Sequence, residues 1–179
     1  MYCLEICKPS AAWNFIATAS HMSQTLGIHS IVSMSHISSE TRLQQTRVFW
    51  LIYIYEKGLS LRLGRSSTLR DSDITIPVPD MGSTSDIAYF GRLKKMVDLA
   101  RLQGKIYDQL YSPAALVEPQ VSMTTRARSL ASELETHTTS IEENEVCLTQ
   151  CLSLLFAGSV KPKRYWEPYP TYMFTDKLP

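Results

Sequence analysis

Apolar residues recur at helical spacing along most of this chain. Ala12, Phe15, Ala19, Met22 and Leu26 fall three and four apart, with Trp13, Ile16 and Ala17 widening the stripe. The spacing predicts a helix over 11–26 that buries this stripe. Ser10, after Pro9, is its expected N-cap and Gly27 its stop. A second periodic run, Phe90, Leu93, Val97, Ala100, Gly104, Tyr107 and Tyr111, predicts a long helix from Ser85 or Asp86 to Tyr111, ended by Pro113. Gly104 on its stripe implies the close approach of another helix. Met123, Ala127, Leu130 and Leu134 mark a helix over 121–136, and Glu142, Glu143 and Glu145 open a further one ending at Gly158. Beyond it, Tyr165, Trp166, Tyr169, Tyr172 and Phe174 lie among prolines, the pattern of an irregular tail.

Between the first two periodic runs the pattern changes. A serine-rich link, Ser30 to Ser39, leads into a helix start where Glu40 suits the positive dipole end and Thr41 with Gln44 has capping-box spacing. Val48 to Tyr55 is then apolar on every side. Such an octet is also strand-compatible, but the charged flanks and the helix formers around it favour one continuous helix covered by neighbours on nearly all sides. Gly58 weakens that helix by about 1 kcal/mol relative to Ala, which a close packing contact offsets. Gly64 is its natural C-terminal stop.

The stretch from Gly58 to Ser66 superficially resembles a phosphate loop. Five residues separate its glycines where that motif has four, and Arg65 stands where it has lysine. Arg62, Arg65 and Arg70 are more simply read as partners for Asp71 and Asp73, or as donors to helix-end carbonyls. Asp71 and Asp73 could suggest a metal or acid–base pair, yet acidic residues in a turn before Pro77 and Pro79 usually bond the local backbone. The prolines force Ile76 and Val78 extended, so this segment is expected as an ordered loop laid across the helices.

Composition narrows the function classes. The 179 residues are 44% apolar and 20% charged, with a formal net charge of +1, which suits one substantial core and gives no whole-chain attraction to DNA. The apolar octet is far shorter than the roughly 20 residues a membrane span needs. No basic segment precedes an apolar block near Met1, so an intracellular setting with free thiols is expected. Cys3 and Cys7, and Cys147 and Cys151, are small hydrophobes on this reading. His21, His29, His36 and His137 are scattered without metal-ligand spacing. No nucleophile–base pair or cofactor loop is evident, and an enzyme is not expected.

Three segments carry a family resemblance: AWNFIATASHMSQTLGIHS, RVFWLIYIYEKGLSLRLGRSSTLRDSDITIPVP and LARLQGKIYDQLYSPAAL. In this order they resemble the fungal-specific transcription factor domain, the middle homology region of fungal zinc-cluster regulators. The resemblance covers roughly Ala11 to Leu134. Its signature residues are Phe49, Trp50, Leu59, Ser60, Leu63, Gly64 and Arg65, followed by Asp73 and Ile74. It implies an all-α, irregular multi-helix regulatory domain over 1–140; the residues beyond, which do not match the family, read as a divergent helix over 141–158 and a Pro/Tyr-rich tail over 159–179. It also implies a nuclear transcription factor in which a separate six-cysteine zinc cluster binds DNA. The family has no agreed catalytic residues to transfer.

Some family features do not match. The zinc cluster, its basic linker, the coiled coil and the upstream part of the domain are absent from this sequence, which therefore reads as an interior piece, incomplete at its N-terminal side. Ser66 replaces a common proline and Ser30 a common basic residue. No cofactor is expected in this chain, since zinc belongs to the absent cluster. DNA is expected as a partner only through that cluster, and protein partners or self-association through exposed apolar surface. The alternative is a helical protein-interaction or small-ligand module with no DNA binding of its own.

Overall fold

The computed structural model describes residues 8–79 and 87–139. Its elements are α1 (Pro9–Thr25), α2 (Ser39–Leu63), a 3-10 turn (Asp71–Asp73), α3 (Ile87–Ile106), a π turn (Tyr107–Tyr111), α4 (Pro113–Leu116) and α5 (Gln120–Thr139). Every regular element among the described residues is helical, and the fold is all-α. The four cysteines, the start expected at Ser85 or Asp86, the helix expected up to Gly158 and the Pro/Tyr-rich tail lie outside the described residues.

α2 is the centre of the fold. Its 25 residues span about 38 Å at 1.5 Å per residue, with α1 packed along one side and α3 along another, while α5 packs on α3 and the π turn. Phe49, Trp50, Tyr53 and Ile54 of α2 are buried with Leu93, Val97 and Ala100 of α3. The rings interlock edge to face, Phe49 with Trp50 at 5.5 Å and Trp50 with Tyr53 at 5.3 Å between centroids, the arrangement that ring quadrupoles favour. Gly104 makes the close approach its place on the stripe implied. A Cβ there would lie 3.4 Å from the side chain of Lys57 on α2.

Several expectations change. α1 begins at Pro9 rather than Ala11, with proline at its first position and Lys8, not Ser10, at the N-cap. Proline suits that position because its missing N–H would be unbonded anyway. α2 is capped three residues earlier than the Thr41–Gln44 pattern implied, by Ser38 Oγ accepting from the Thr41 amide at 3.4 Å. The α3 segment is α-helical only to Ile106. It then widens into the π turn, where the Ser112 amide donates to the Tyr107 carbonyl at 2.8 Å. Pro113 both stops that turn and starts α4, whose Ala115 amide Ser112 Oγ caps at 3.2 Å.

The largest correction concerns which face of α1 is inside. Phe15, Met22 and Leu26, the large members of the expected buried stripe, are 70%, 58% and 71% exposed. The face against α2 carries buried Ser20 and Ser23 instead. Their hydroxyls donate to the Ile16 and Ser20 carbonyls at 2.9 and 2.7 Å, so burying them leaves no donor unpaired, and their small size permits close packing. The octet on α2 is likewise not covered all round, since Val48 and Leu51 are exposed.

Candidate functional site

The signature residues run from the middle of α2, through its C-terminal end, into the loop that folds back on it. Gly64 adopts φ +63°, with the Gly64 amide bonded to the Leu61 carbonyl at 3.1 Å and the Arg65 amide to the Ser60 carbonyl at 2.9 Å. This pair of bonds closes the helix as a Schellman motif. The following loop then runs back along the buried face of α2. Trp50 Nε1 donates to the Pro77 carbonyl at 3.1 Å, Ile76 is buried, and Ile74 and Val78 pack against the core. The crossing loop expected from Pro77 and Pro79 is therefore present.

Glu56 organises the turn. It is completely buried, and its Oε1 accepts from Ser60 Oγ at 3.1 Å, the Thr68 amide at 2.6 Å and Thr68 Oγ1 at 3.1 Å, while Oε2 accepts from Ser67 Oγ at 2.7 Å. A buried acidic side chain is tolerated only when its oxygens are satisfied in this way. Ser60 in turn accepts from Trp13 Nε1 at 3.1 Å, and Arg65 lies 4.4 Å from the Trp13 ring centroid. α1 is thus held to the end of α2 by one indole, through its N–H and its face.

Lys57 takes the role expected of the arginines. Its Nζ donates to the Leu69 carbonyl at 2.8 Å and pairs with Asp71 at 3.1 Å, 5.3 Å from the Tyr53 ring centroid. Tyr53 also donates to Asp71 Oδ1 at 2.9 Å. Burial, reinforced by the adjacent Asp71 charge and this hydrogen bond, pushes the Tyr53 phenol well above its ordinary range. The expected arginine–carboxylate clasp is replaced at Asp71 because Lys57 lies on the buried face that the loop crosses, whereas Arg65 lies beyond Gly64, beside α1.

Of the signature residues, Phe49, Trp50, Leu59 and Ser60 are buried, Leu63, Arg65 and Ile74 half-buried, and Gly64 and Asp73 exposed. The structure brings Ser60, Gly64 and Arg65 into one turn, places Phe49 and Trp50 in the core farther back along α2, and leaves Asp73 on the exposed 3-10 turn. Sequence reading missed Glu56, Lys57, Ser67 and Thr68 as a set. Yet Phe49, Tyr53, Glu56 and Ser60 continue one face at spacings of four, three and four, and three hydroxyl residues follow Arg65.

Among the described residues no group of three or more His, Cys, Asp or Glu could hold a metal ion, and no helix is long and apolar enough to cross a membrane. The polar groups of the turn are spent on one another, as in a rigid anchor. A family model for the fungal-specific transcription factor domain matches residues 1–152. The chain belongs to this family.

Similarity to individual members is moderate. An uncharacterised transcriptional regulatory protein of Schizosaccharomyces pombe is 27% identical over 126 residues, 65% of this chain and 16% of that protein. Protein STB5 of Saccharomyces cerevisiae is 31% identical over 114 residues, 60% of this chain and 15% of that protein. An ABC-transporter-regulating transcription factor of Aspergillus fumigatus is 26% identical over 137 residues, 72% of this chain and 15% of that protein. This fungal transcription factor domain thus aligns with only 15–16% of the length of these curated relatives. No solved structure matches it.

Proposed function

We propose that the chain acts as a regulatory domain of a fungal zinc-cluster transcription factor in the nucleus, without catalysis and without a cofactor of its own. The family match over residues 1–152 carries this reading. DNA contact and zinc belong, on this reading, to a separate cluster of the kind found in the family. Two features support a domain that works through proteins rather than through DNA. The net charge is +1, too small for a polyanion footprint, and α1 presents Phe15 and Met22 to solvent, a surface suited to protein contact.

A reporter assay tests the regulatory role. The chain is fused to a heterologous DNA-binding domain and activation domain, and reporter output is compared with that of the same fusion lacking it. The expected result is a change in output that Trp50→Ala removes. Unchanged output from a folded, expressed fusion would count against regulation. A gel-shift titration tests the second part, and salt-dependent nanomolar binding of the isolated chain to a specific duplex would overturn it.

A further inference from the structure

We propose that the cleft between the C-terminal turn of α1 and the loop after α2 is a binding site for a compact α-amino acid. The cleft has a volume of about 160 Å³ and is lined by Gln24, His29, Leu69, Arg70, Asp73 and Ile74. Its walls are fastened to each other. The His29 carbonyl accepts from the Thr75 amide at 3.0 Å, the Ile31 amide donates to Thr75 Oγ1 at 3.0 Å, and Gln24 Nε2 donates to the Thr68 carbonyl at 3.2 Å.

The lining chemistry selects the ligand class. Arg70 and Asp73 hold opposite charges across one short turn, closed by the Asp73 amide donating to the Arg70 carbonyl at 3.1 Å. A guanidinium recognises a carboxylate, and a carboxylate recognises an ammonium group. With Nε2 of Gln24 engaged on Thr68, its carboxamide oxygen is left as a second acceptor for that ammonium group. His29 Nδ1 is buried with no hydrogen-bond partner among the described residues, a cost that a polar ligand removes. Buried Leu69 and half-buried Ile74 supply the apolar floor.

Size and charge favour a small zwitterion over the alternatives. A water molecule's share of liquid volume is about 30 Å³, so the cleft holds roughly five waters, or an amino acid with a short side chain. It falls below the roughly 300 Å³ at which drug-sized ligand pockets begin. A simple anion meets repulsion from Asp73, and a simple cation meets it from Arg70. A zwitterion satisfies both. Binding of this kind goes beyond the regulatory reading and can be measured whether or not that reading holds.

The test titrates the full chain with L-alanine, propionate and ethylamine, following heat by calorimetry and the His29 ring resonances by NMR. L-Alanine should bind and shift the His29 signals, while propionate and ethylamine, each lacking one charge, should bind at least about tenfold more weakly. Arg70→Gln and Asp73→Asn should each remove the response, with unfolding midpoints close to the parent because both side chains are exposed. No response to L-alanine at millimolar concentration would overturn the proposal. So would propionate binding as tightly as L-alanine, or undiminished binding by folded Arg70→Gln.

Discussion

Thr68 gives both its backbone N–H and its hydroxyl to a single oxygen of Glu56, at 2.6 and 3.1 Å. With Ser60 and Ser67 adding their hydroxyls, a loop eleven and twelve residues downstream is fixed to a helix position that solvent does not reach. Glu56→Ala leaves buried Ser60, half-buried Ser67 and the Thr68 amide and hydroxyl without their common acceptor. Its expected cost is about 1–3 kcal/mol, the range for leaving a buried neutral donor such as the Ser60 hydroxyl unpaired. Glu56→Gln keeps the shape but turns an amide NH2, a donor, toward at least one hydroxyl that donates to Glu56, and should fall between. Urea midpoints of the two variants and the parent check the order, and a parent-like midpoint for Glu56→Ala would show that the turn is not anchored there.

Phe49 and Trp50 are both fully buried at the crossing of α2 and α3. Truncation to Ala at either position should destabilise by about 3–5 kcal/mol. Trp50→Ala also releases the Pro77 carbonyl, so the loop as well as the core should respond. Chemical denaturation measures the loss, and limited proteolysis within 66–79 should accelerate in Trp50→Ala more than in Phe49→Ala.

Two glycines separate conformational cost from steric cost. Gly64 has φ +63° and nothing within 4 Å of the position a Cβ would take, whereas a Cβ on Gly27, at φ +72°, would lie 2.8 Å from Ser33 Cβ and Oγ. Gly64→Ala should therefore cost about 1–2 kcal/mol, the penalty of left-handed backbone alone. Gly27→Ala should cost more, because the turn must also shift. Equal losses in thermal unfolding would contradict the contact at Ser33.

Tyr53 makes stability depend on alkaline pH. Its phenol is raised above the ordinary value of 10.0 by burial first, then by Asp71, so the folded state keeps a proton that the unfolded state gives up. The contribution is complete below pH ~10 and is lost as pH rises above it, at up to about 1.4 kcal/mol per pH unit. Tyr53→Phe should flatten this part of the stability–pH curve. Absorbance titration near 295 nm offers a second check, with one tyrosine ionising only as the fold opens in the parent protein.

The exposed residues of α1 lead to an association prediction. Phe15 and Met22 stand two turns apart on one outer face, and a Phe15→Ser, Met22→Ser variant should keep its unfolding midpoint while eluting as a sharper, smaller species in size-exclusion chromatography. A parent protein that elutes as a compact monodisperse monomer would show that this face does not self-associate.

Helix identity was legible because apolar residues recur at helical spacing, and on α3 and α5 burial follows that spacing, as at Val97, Ala100 and Leu130. Gly64 was legible because a left-handed helix end has few alternatives to glycine. The facing of α1 was not, because counting apolar residues puts Phe15 and Met22 inside, while the face that packs closely is made of serines bonded to their own helix. The polar anchor was missed for a related reason. Glu56 and Lys57 look like the solvated end of an apolar run until Ser67, Thr68 and Asp71 are brought to them by a reversal at Gly64. Local pattern specifies the elements, and the three-dimensional return of the chain decides which charges are internal.

From Pro9 to Thr25, α1 carries no aspartate, glutamate, lysine or arginine. Contacts made on its outer face therefore have no ion pairs to be screened, and raising ionic strength should leave them intact while weakening those at exposed pairs such as Lys105 with Glu133. Excluded salts such as sulfate should tighten them. A partner bound at α1 would thus stay attached through the salt washes that strip electrostatically held proteins.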